Sequence, residues 1–213
     1  MPVAIFDIDG TLTDSVRQHQ TAFEQALRAF DFPALCTDWA SYRHHSDSAI
    51  FEEAWEDAGW GSLPDHPALE QSYAIAYDEA VRHLPVDEIA GASAFIAHLK
   101  ASGWGVAFAT GSLRHGALHK LSVLGIDGNG EALVTASEAR TREQIVSEAV
   151  TLVRSDGETP RVVSFGDGLW DLKTAQNLGF EFFGIGSGSK AEALKARGAT
   201  VHSNFRGLGR SFA

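Results

Sequence analysis

Two aspartates stand two residues apart at the end of a short apolar run near the start of the chain. The run is Val3–Phe6, and Asp7 and Asp9 follow it, before a Gly-Thr pair. Such a run is typical of a buried parallel strand, and residues i and i+2 of a strand point to the same face. Two carboxylates in one small volume repel each other unless a cation neutralises them or one holds a proton. The pair therefore indicates a metal site or acid–base chemistry.

A second apolar run, at 105–109, ends in Thr110-Gly111-Ser112. A hydroxyl and backbone N–H groups at a strand-to-helix junction suit a phosphoryl group, helped by the positive end of the following helix. The same three residues are also a good helix start. Their significance therefore depends on what the other strand ends carry.

A third run, at 161–165, is followed by two more acids, Asp167 and Asp171. In a parallel sheet the strands end at one edge, where such sheets bind ligands. We therefore expect Asp7, Thr110 and Asp167 to lie close together. Carboxylate oxygens with room for water suit Mg²⁺, and such a site beside N–H donors suits a phosphoryl group.

Alternation of apolar runs with amphipathic helices predicts an α/β fold with a doubly wound parallel sheet. The predicted strands lie near residues 3–7, 105–109, 132–135, 161–165 and 182–185. Between the first two strands, helical periodicity and many aromatic residues predict a small all-helical unit with its own core. We expect a core domain formed by residues 1–14 and 86–213 and a helical domain formed by residues 15–85.

Composition excludes several classes of protein. The 213 residues carry a formal charge of −11, which argues against sequence-independent binding of nucleic acid and against docking on an anionic membrane. Cys36 is the single cysteine, so no internal disulfide can form. Without a basic leader or a long apolar run we expect a cytoplasmic protein, either a monomer or a weak homodimer.

The segment 7–15, Asp-Ile-Asp-Gly-Thr-Leu-Thr-Asp-Ser, resembles the first motif of the haloacid dehalogenase superfamily, in its phosphatase and phosphomutase branch. The segments 110–112 and 166–171 resemble the second and fourth motifs. The resemblance covers essentially the whole chain. It implies a Rossmann-like core with a helical cap that closes over the site.

The resemblance also implies roles for individual residues. Asp7 is the expected nucleophile, which forms an aspartyl-phosphate, and Asp9 the expected general acid and base. Thr110 and Gly111 are expected to bind phosphoryl oxygens. An acid at position 9 favours phosphoryl transfer over dehalogenation, because a halide leaves without a proton. The Mg²⁺ ligands that the resemblance implies are Asp7, the backbone carbonyl of Asp9, Asp167 and, in support, Asp171.

The third motif of the superfamily is a lysine at the start of a helix, and this sequence has none there. Thr141 and Gln144 form a predicted capping box, and Arg142 between them is the expected substitute. Arg140 is the alternative if the register differs. Either arginine keeps the positive charge and adds a planar donor set that suits phosphate or a carboxylate.

Substrate contacts are harder to predict. We expect them from Ser112, from His19 in the first helix of the insert and from Arg43 in a polar loop at 42–47. Asp47 reads as the N-cap of the next helix. A Gly-rich segment that ends in Lys190 lacks Walker spacing and is predicted to be only a connection.

Three functions remain open on the sequence. The first is a Mg²⁺-dependent phosphatase that acts on a small phosphorylated metabolite, similar to phosphoglycolate phosphatase. The second is a sugar phosphomutase that resembles β-phosphoglucomutase. The third, raised by the missing lysine, is a non-catalytic protein that binds a phosphorylated metabolite.

Overall fold

The structure is a computed structural model that describes residues 1–154 and 160–212. Its strands are β1 (Val3–Phe6), β2 (Thr13–Asp14), β3 (Asp87–Glu88), β4 (Gly105–Ala109), β5 (Ala132–Val134), β6 (Val162–Gly166), β7 (Glu181–Ile185) and β8 (Thr200–His202). Its helices are α1 (Val16–Arg28), α2 (Asp47–Asp57), α3 (His66–His83), α4 (Ala92–Ala101), α5 (Arg114–Val123), α6 (Arg142–Val153), α7 (Leu169–Leu178), α8 (Gly188–Lys195) and a 3₁₀ helix (Leu208–Ser211). In these ranges no helix has the length and apolar character needed to cross a membrane.

Six strands form one parallel sheet in the order β5-β4-β1-β6-β7-β8. On the central strand β1, Phe6 lies opposite Phe108 of β4 and Phe165 of β6. This register brings the residues that follow the three strands to one edge of the sheet. The predicted doubly wound parallel sheet is confirmed.

Helices cover both faces of the sheet. Phe6 packs in one apolar cluster with Phe95 of α4, and Ile5 packs in another with Ile145 of α6. Successive strand residues point to opposite faces, so β1 is buried on both sides. That burial explains why its sequence is apolar throughout rather than alternating.

Helices α1, α2 and α3 form a bundle beside the sheet, which we call the insert. The insert leaves and rejoins the rest of the chain through an antiparallel ribbon of β2 and β3, where Asp14 pairs with Asp87. The predicted aromatic core of this bundle is confirmed. Its large buried rings are those of Phe23, Tyr42, Phe51, Trp55, Tyr73 and Tyr77.

The first turn of α2 docks on the loops at the sheet edge. The Asp47 backbone N–H donates to the Gly111 carbonyl at 2.8 Å, and Asp47 Oδ2 accepts from the Leu113 N–H at 2.9 Å. The prediction that Asp47 caps α2 is wrong, because Ser46 is the N-cap residue and Asp47 begins the helix. The Asp47 carboxylate instead satisfies a backbone donor of the core.

Candidate active site

Asp7 lies at the centre of the sheet edge, directly after β1, and is 7% exposed. Its backbone N–H donates to the Phe165 carbonyl at 3.0 Å and continues the ladder of β1 with β6. Its Oδ2 accepts from Thr11 Oγ1 at 3.1 Å, and its Oδ1 accepts from Arg142 Nη2 at 3.1 Å. The side chain is therefore oriented at both oxygens.

Asp167 and Asp171 complete a buried group of three acids with Asp7. One oxygen of each lies within 4.8 Å of the others. Arg142 Nη2 donates to Asp171 as well as to Asp7. Gly10 allows this crowding, because its φ is +76° and a Cβ there would lie 2.2 Å from Asp167 Oδ2. A side chain at position 10 would therefore clash with the site.

The three acids are short of positive charge. Burial raises the pKa of Asp7 well above its usual value, Asp171 raises it further, and Arg142 offsets only part of the rise. Burial and Asp171 raise the pKa of Asp167 to about 6, although Lys190 opposes them. A hard cation would relieve this repulsion, and an all-oxygen donor set suits Mg²⁺. The residues present therefore fit the ion that the sequence implies.

We expect Mg²⁺ to raise the melting temperature, and to raise it more at about pH 7.5 than at about pH 5. Because the pKa of Asp167 is raised in the folded protein, the native state binds more protons than the unfolded chain between about pH 4 and pH 6. Stability without metal should fall as pH rises through that window. At saturation the rise should be several degrees, at about 2–4 °C per kcal/mol.

Differential scanning fluorimetry with and without Mg²⁺ measures this shift. Asp167→Asn should lose it, whereas Asp87→Asn, at an exposed position outside the group of three acids, should keep it. An equal shift in both variants would place the ion elsewhere.

The Asp9 carboxylate has different hydrogen-bond partners from the Asp7 carboxylate. Its Oδ1 accepts from Ser15 Oγ at 2.7 Å and its Oδ2 accepts from Ser112 Oγ at 2.5 Å. Lys120 Nζ lies 2.7 Å from Oδ1 and 2.8 Å from Oδ2. Burial alone would raise the pKa of Asp9, but Lys120, His19 and the hydrogen bond from Ser112 together outweigh it and hold that pKa well below its usual range. The pKa values of the two neighbouring acids, Asp7 and Asp9, are therefore shifted in opposite directions.

The loop at 110–112 leaves β4 beside these acids. The Ser112 N–H donates to Thr110 Oγ1 at 3.2 Å, which turns the chain into α5. A Cβ on Gly111 would lie 2.5 Å from the His45 carbonyl oxygen and 2.9 Å from Arg142 Nη1. Glycine is needed here because the backbone passes between the insert and the Arg142 guanidinium.

A cavity of about 340 Å³ lies between the sheet edge and the insert. His19 contributes to its wall, with Nε2 3.2 Å from Asp47 Oδ1 and Nδ1 3.0 Å from the Tyr73 hydroxyl. The His45 ring lies 5.2 Å from the Trp170 ring at another part of the wall. A cavity of this size suits a small molecule.

The structure separates the two arginines that the sequence left open. Arg142 is the first residue of α6, inside the Thr141–Gln144 capping box, which is confirmed. It is buried and reaches Asp7. Arg140 instead reaches the insert, where its Nε lies 2.7 Å from Glu52 Oε1. Only Arg142 therefore lies where the missing lysine was expected.

Not every predicted substrate contact reaches the cavity. Ser112 and His19 line it. Arg43 is exposed and pairs with two glutamates of α2, with Nε 3.3 Å from Glu53 and Nη2 2.7 Å from Glu56. The structure therefore does not bring Arg43 to the group of three acids around Asp7.

Two lysines in the site were missed by the sequence reasoning. Lys190 was predicted to belong to a mere connection, but its Nζ lies 2.5 Å from Asp167 Oδ2 and 5.4 Å from the centre of the Trp170 ring. Lys120 lies on α5, one residue before the buried Leu121. The sequence did offer one signal for Lys120: a charged residue on the apolar face of a helix indicates a buried ion pair.

The sequence matches a known protein family and curated proteins. A model of the haloacid dehalogenase-like hydrolases matches residues 1–179. The tyrosine-protein kinase PtkA of Mycobacterium tuberculosis is 28% identical over 204 residues, which cover 93% of this chain and 67% of PtkA.

Solved structures with the same fold include a hydrolase and CbbY. A hydrolase from Pseudomonas syringae superposes with a TM-score of 0.74 at 23% identity, covering 96% of this chain and 94% of that one. CbbY from Rhodobacter sphaeroides, solved in complex with phosphate, superposes with a TM-score of 0.71 at 18% identity, covering 98% of this chain and 97% of that one. The family model spans the acids, the 110–112 loop and Arg142, so this chain belongs to the haloacid dehalogenase-like hydrolases.

Proposed function

We propose that this protein is a Mg²⁺-dependent phosphatase that hydrolyses a small phosphorylated metabolite through an aspartyl-phosphate on Asp7. One observation carries the proposal. At a single sheet edge, a buried carboxylate is held by Arg142, faces two further acids and adjoins the loop at 110–112. This arrangement combines a nucleophile, a cation site and a phosphate-binding loop.

The proposed reaction has two halves. In the first, the Asp7 carboxylate attacks phosphorus, the bond from phosphorus to the leaving oxygen breaks, and Asp9 gives that oxygen a proton. In the second, Asp9 takes a proton from water, whose oxygen attacks the same phosphorus. Inorganic phosphate leaves and the Asp7 carboxylate returns. Arg142 would stabilise the charge on Asp7 in both halves.

Asp9 must gain a proton before it acts as an acid. In the free protein the Lys120 ammonium favours the carboxylate and lowers the pKa of Asp9. A bound phosphoryl group would bring negative charge close to Asp9 and raise that pKa. The second half of the reaction, in contrast, uses the carboxylate as it stands.

The Mg²⁺ ion would be held by Asp7, Asp167 and Asp171, with the backbone carbonyl of Asp9 as the resemblance implies. It would neutralise the phosphoryl oxygens so that two anionic groups can approach each other. The raised pKa values of Asp7 and Asp167 support this assignment.

The insert is proposed to act as the cap domain, with residues 15–85 covering a core formed by residues 1–14 and 86–213. The contacts of Asp47 with Gly111 and Leu113 support this role, since they hold α2 over the cavity. A closed cap excludes water from the first half of the reaction and reads the substrate.

The test is phosphate release from p-nitrophenyl phosphate, then from a panel of phosphorylated metabolites, with Mg²⁺ and with EDTA. We expect turnover only with Mg²⁺, and acid-quenched protein should carry one phosphoryl group on the peptide that contains Asp7. Conversion of β-glucose 1-phosphate to glucose 6-phosphate with a bisphosphate primer, without phosphate release, would identify a phosphomutase instead. No turnover of any compound would support the non-catalytic alternative.

A second candidate is transfer of a phosphoryl group to tyrosine. It is favoured by the 28% identity to PtkA, named a tyrosine-protein kinase, over 93% of this chain. Incubation with ATP labelled at the γ-phosphate separates the two. Label on a tyrosine, stable to acid and alkali, supports the second candidate, whereas free phosphate alone supports the first.

A further inference from the structure

Lys120 is fully buried, with 0% of its surface exposed. Its neighbours on the buried face of α5 are the small or apolar Gly116, Ala117 and Leu121. Lysine is almost never fully buried unless its charge is paired, because removing an ammonium group from water is costly. An apolar side chain here would extend the core without that cost.

The N–H groups of the Lys120 ammonium point to residues of the candidate site. Nζ lies 2.7 Å and 2.8 Å from the two oxygens of Asp9 and 3.2 Å from Ser112 Oγ. It also lies 5.4 Å from the centre of the Tyr77 ring, on helix α3 of the insert, within cation–π range. Lys120 therefore touches the core loop after β1, the loop at 110–112 and the insert at once.

The contacts of Lys120, together with those of two serines, fix the orientation of the Asp9 carboxylate. Each Asp9 oxygen receives Lys120 and one hydroxyl, from Ser15 on one side and Ser112 on the other. A carboxylate offers about four acceptor positions, so the protein fills them all. The acids grouped for a metal are Asp7, Asp167 and Asp171, and within the described ranges Asp9 is not among them.

We propose that Lys120 is a positioning residue, whose ammonium group holds the Asp9 carboxylate against Ser112 and away from the three acids around Asp7. Without it, a cation held by Asp7, Asp167 and Asp171 would attract the Asp9 carboxylate toward those acids. Lys120 thereby keeps two chemically identical side chains in separate roles, Asp7 at the phosphorus and Asp9 at the leaving oxygen. The role of Asp9 in this inference rests on the proposed function.

A double-mutant cycle of Lys120→Met and Asp9→Asn tests the proposal. Lys120→Met should lower kcat for p-nitrophenyl phosphate by about 10²-fold, as expected for a misplaced catalytic group, with little change in KM. Asp9→Asn should cost about 10²–10⁴-fold. Adding Lys120→Met to Asp9→Asn should cost nothing more, and losses that multiply would overturn the proposal, because a merely structural lysine acts whether or not Asp9 is charged.

Folding is controlled within the same cycle. The double variant leaves no unpaired buried charge, so it should fold even if Lys120→Met alone does not. In that case the kcat of the double variant, compared with the kcat of Asp9→Asn, tests the proposal. Lys100→Met is the matched control, since Lys100 is half-exposed and pairs with Glu131 at the end of α4. It should keep the wild-type rate.

A second readout needs no turnover. Titration calorimetry should show that Mg²⁺ binds several-fold more tightly to Lys120→Met than to wild type. The Asp9 carboxylate, no longer held by Lys120, can then approach an ion bound by Asp7, Asp167 and Asp171. The double variant should match Asp9→Asn. An affinity that Lys120→Met leaves unchanged, or changes equally in the double variant, overturns the positioning role. Wild-type protein without phosphatase activity would overturn the proposed function alone.

Discussion

Asp7→Asn is expected to lower kcat for p-nitrophenyl phosphate by about 10⁴-fold or more, because it removes the nucleophilic oxygen of the proposed reaction. The amide has nearly the same size and can still accept the Thr11 hydrogen bond. It also removes one of three crowded charges, and the raised pKa of Asp7 indicates that this charge is costly in the fold. We therefore expect the variant to be at least as stable as wild type by thermal unfolding.

Asp87→Asn is the matched control for this loss. Asp87 lies in β3, is exposed and belongs to the ribbon below the insert. Its rate should equal that of wild type. A rate for Asp7→Asn within about tenfold of wild type would exclude Asp7 as the nucleophile, since loss of a nucleophile costs far more than that.

Arg142→Ala is expected to reduce both stability and activity. The substitution leaves Asp7 and Asp171 buried and close together without their shared cation. Breaking a buried ion pair from one side costs about 3–5 kcal/mol. Loss of a preorganised donor at the reacting group lowers kcat by about 10²–10³-fold. Urea unfolding and steady-state kinetics measure the two effects.

Two substitutions make this result specific. Arg142→Lys restores the residue type that the superfamily motif carries, and it should retain the charge and much of the activity that Arg142→Ala loses. Arg140→Ala removes a partly exposed ion pair with Glu52, which should cost less than about 1 kcal/mol and leave kcat unchanged. A larger loss of kcat in Arg140→Ala than in Arg142→Ala would contradict the assignment.

The acids of the site could be predicted because each follows an apolar run. Asp7 comes directly after β1, and Asp167 comes directly after β6. The two strands are adjacent and in register, with Phe6 opposite Phe165. Local sequence thus decides where the strands end, and the parallel arrangement then brings those ends together.

The two lysines of the site could not be assigned in the same way. Lys120 reaches an acid 111 positions away in the chain, and Lys190 reaches one 23 positions away. Both lie in helices, where the position of a side chain depends on how the helix packs on the sheet. Helical periodicity places Lys120 on the buried face of α5 but does not name its partner.

The loop at 42–47 shows the same division. Its polar sequence predicted surface or substrate contacts, and Arg43 is indeed on the surface, bound to α2. Asp47 is buried, and its carboxylate accepts from Leu113 and pairs with His19. The helix-start pattern could not distinguish a local cap from this contact between the insert and the core.

By itself the sequence determined, to within a residue or so, where the strands that carry the acids end, and hence which acids share the edge of the sheet. It also determined that a helical insert separates Asp14 from the second half of the core. Only the tertiary structure decided that Arg142 rather than Arg140 faces Asp7, and that Lys120 holds Asp9. Pairing of a cation with an acid depends on distances between packed elements, and spacing along the chain does not encode those distances.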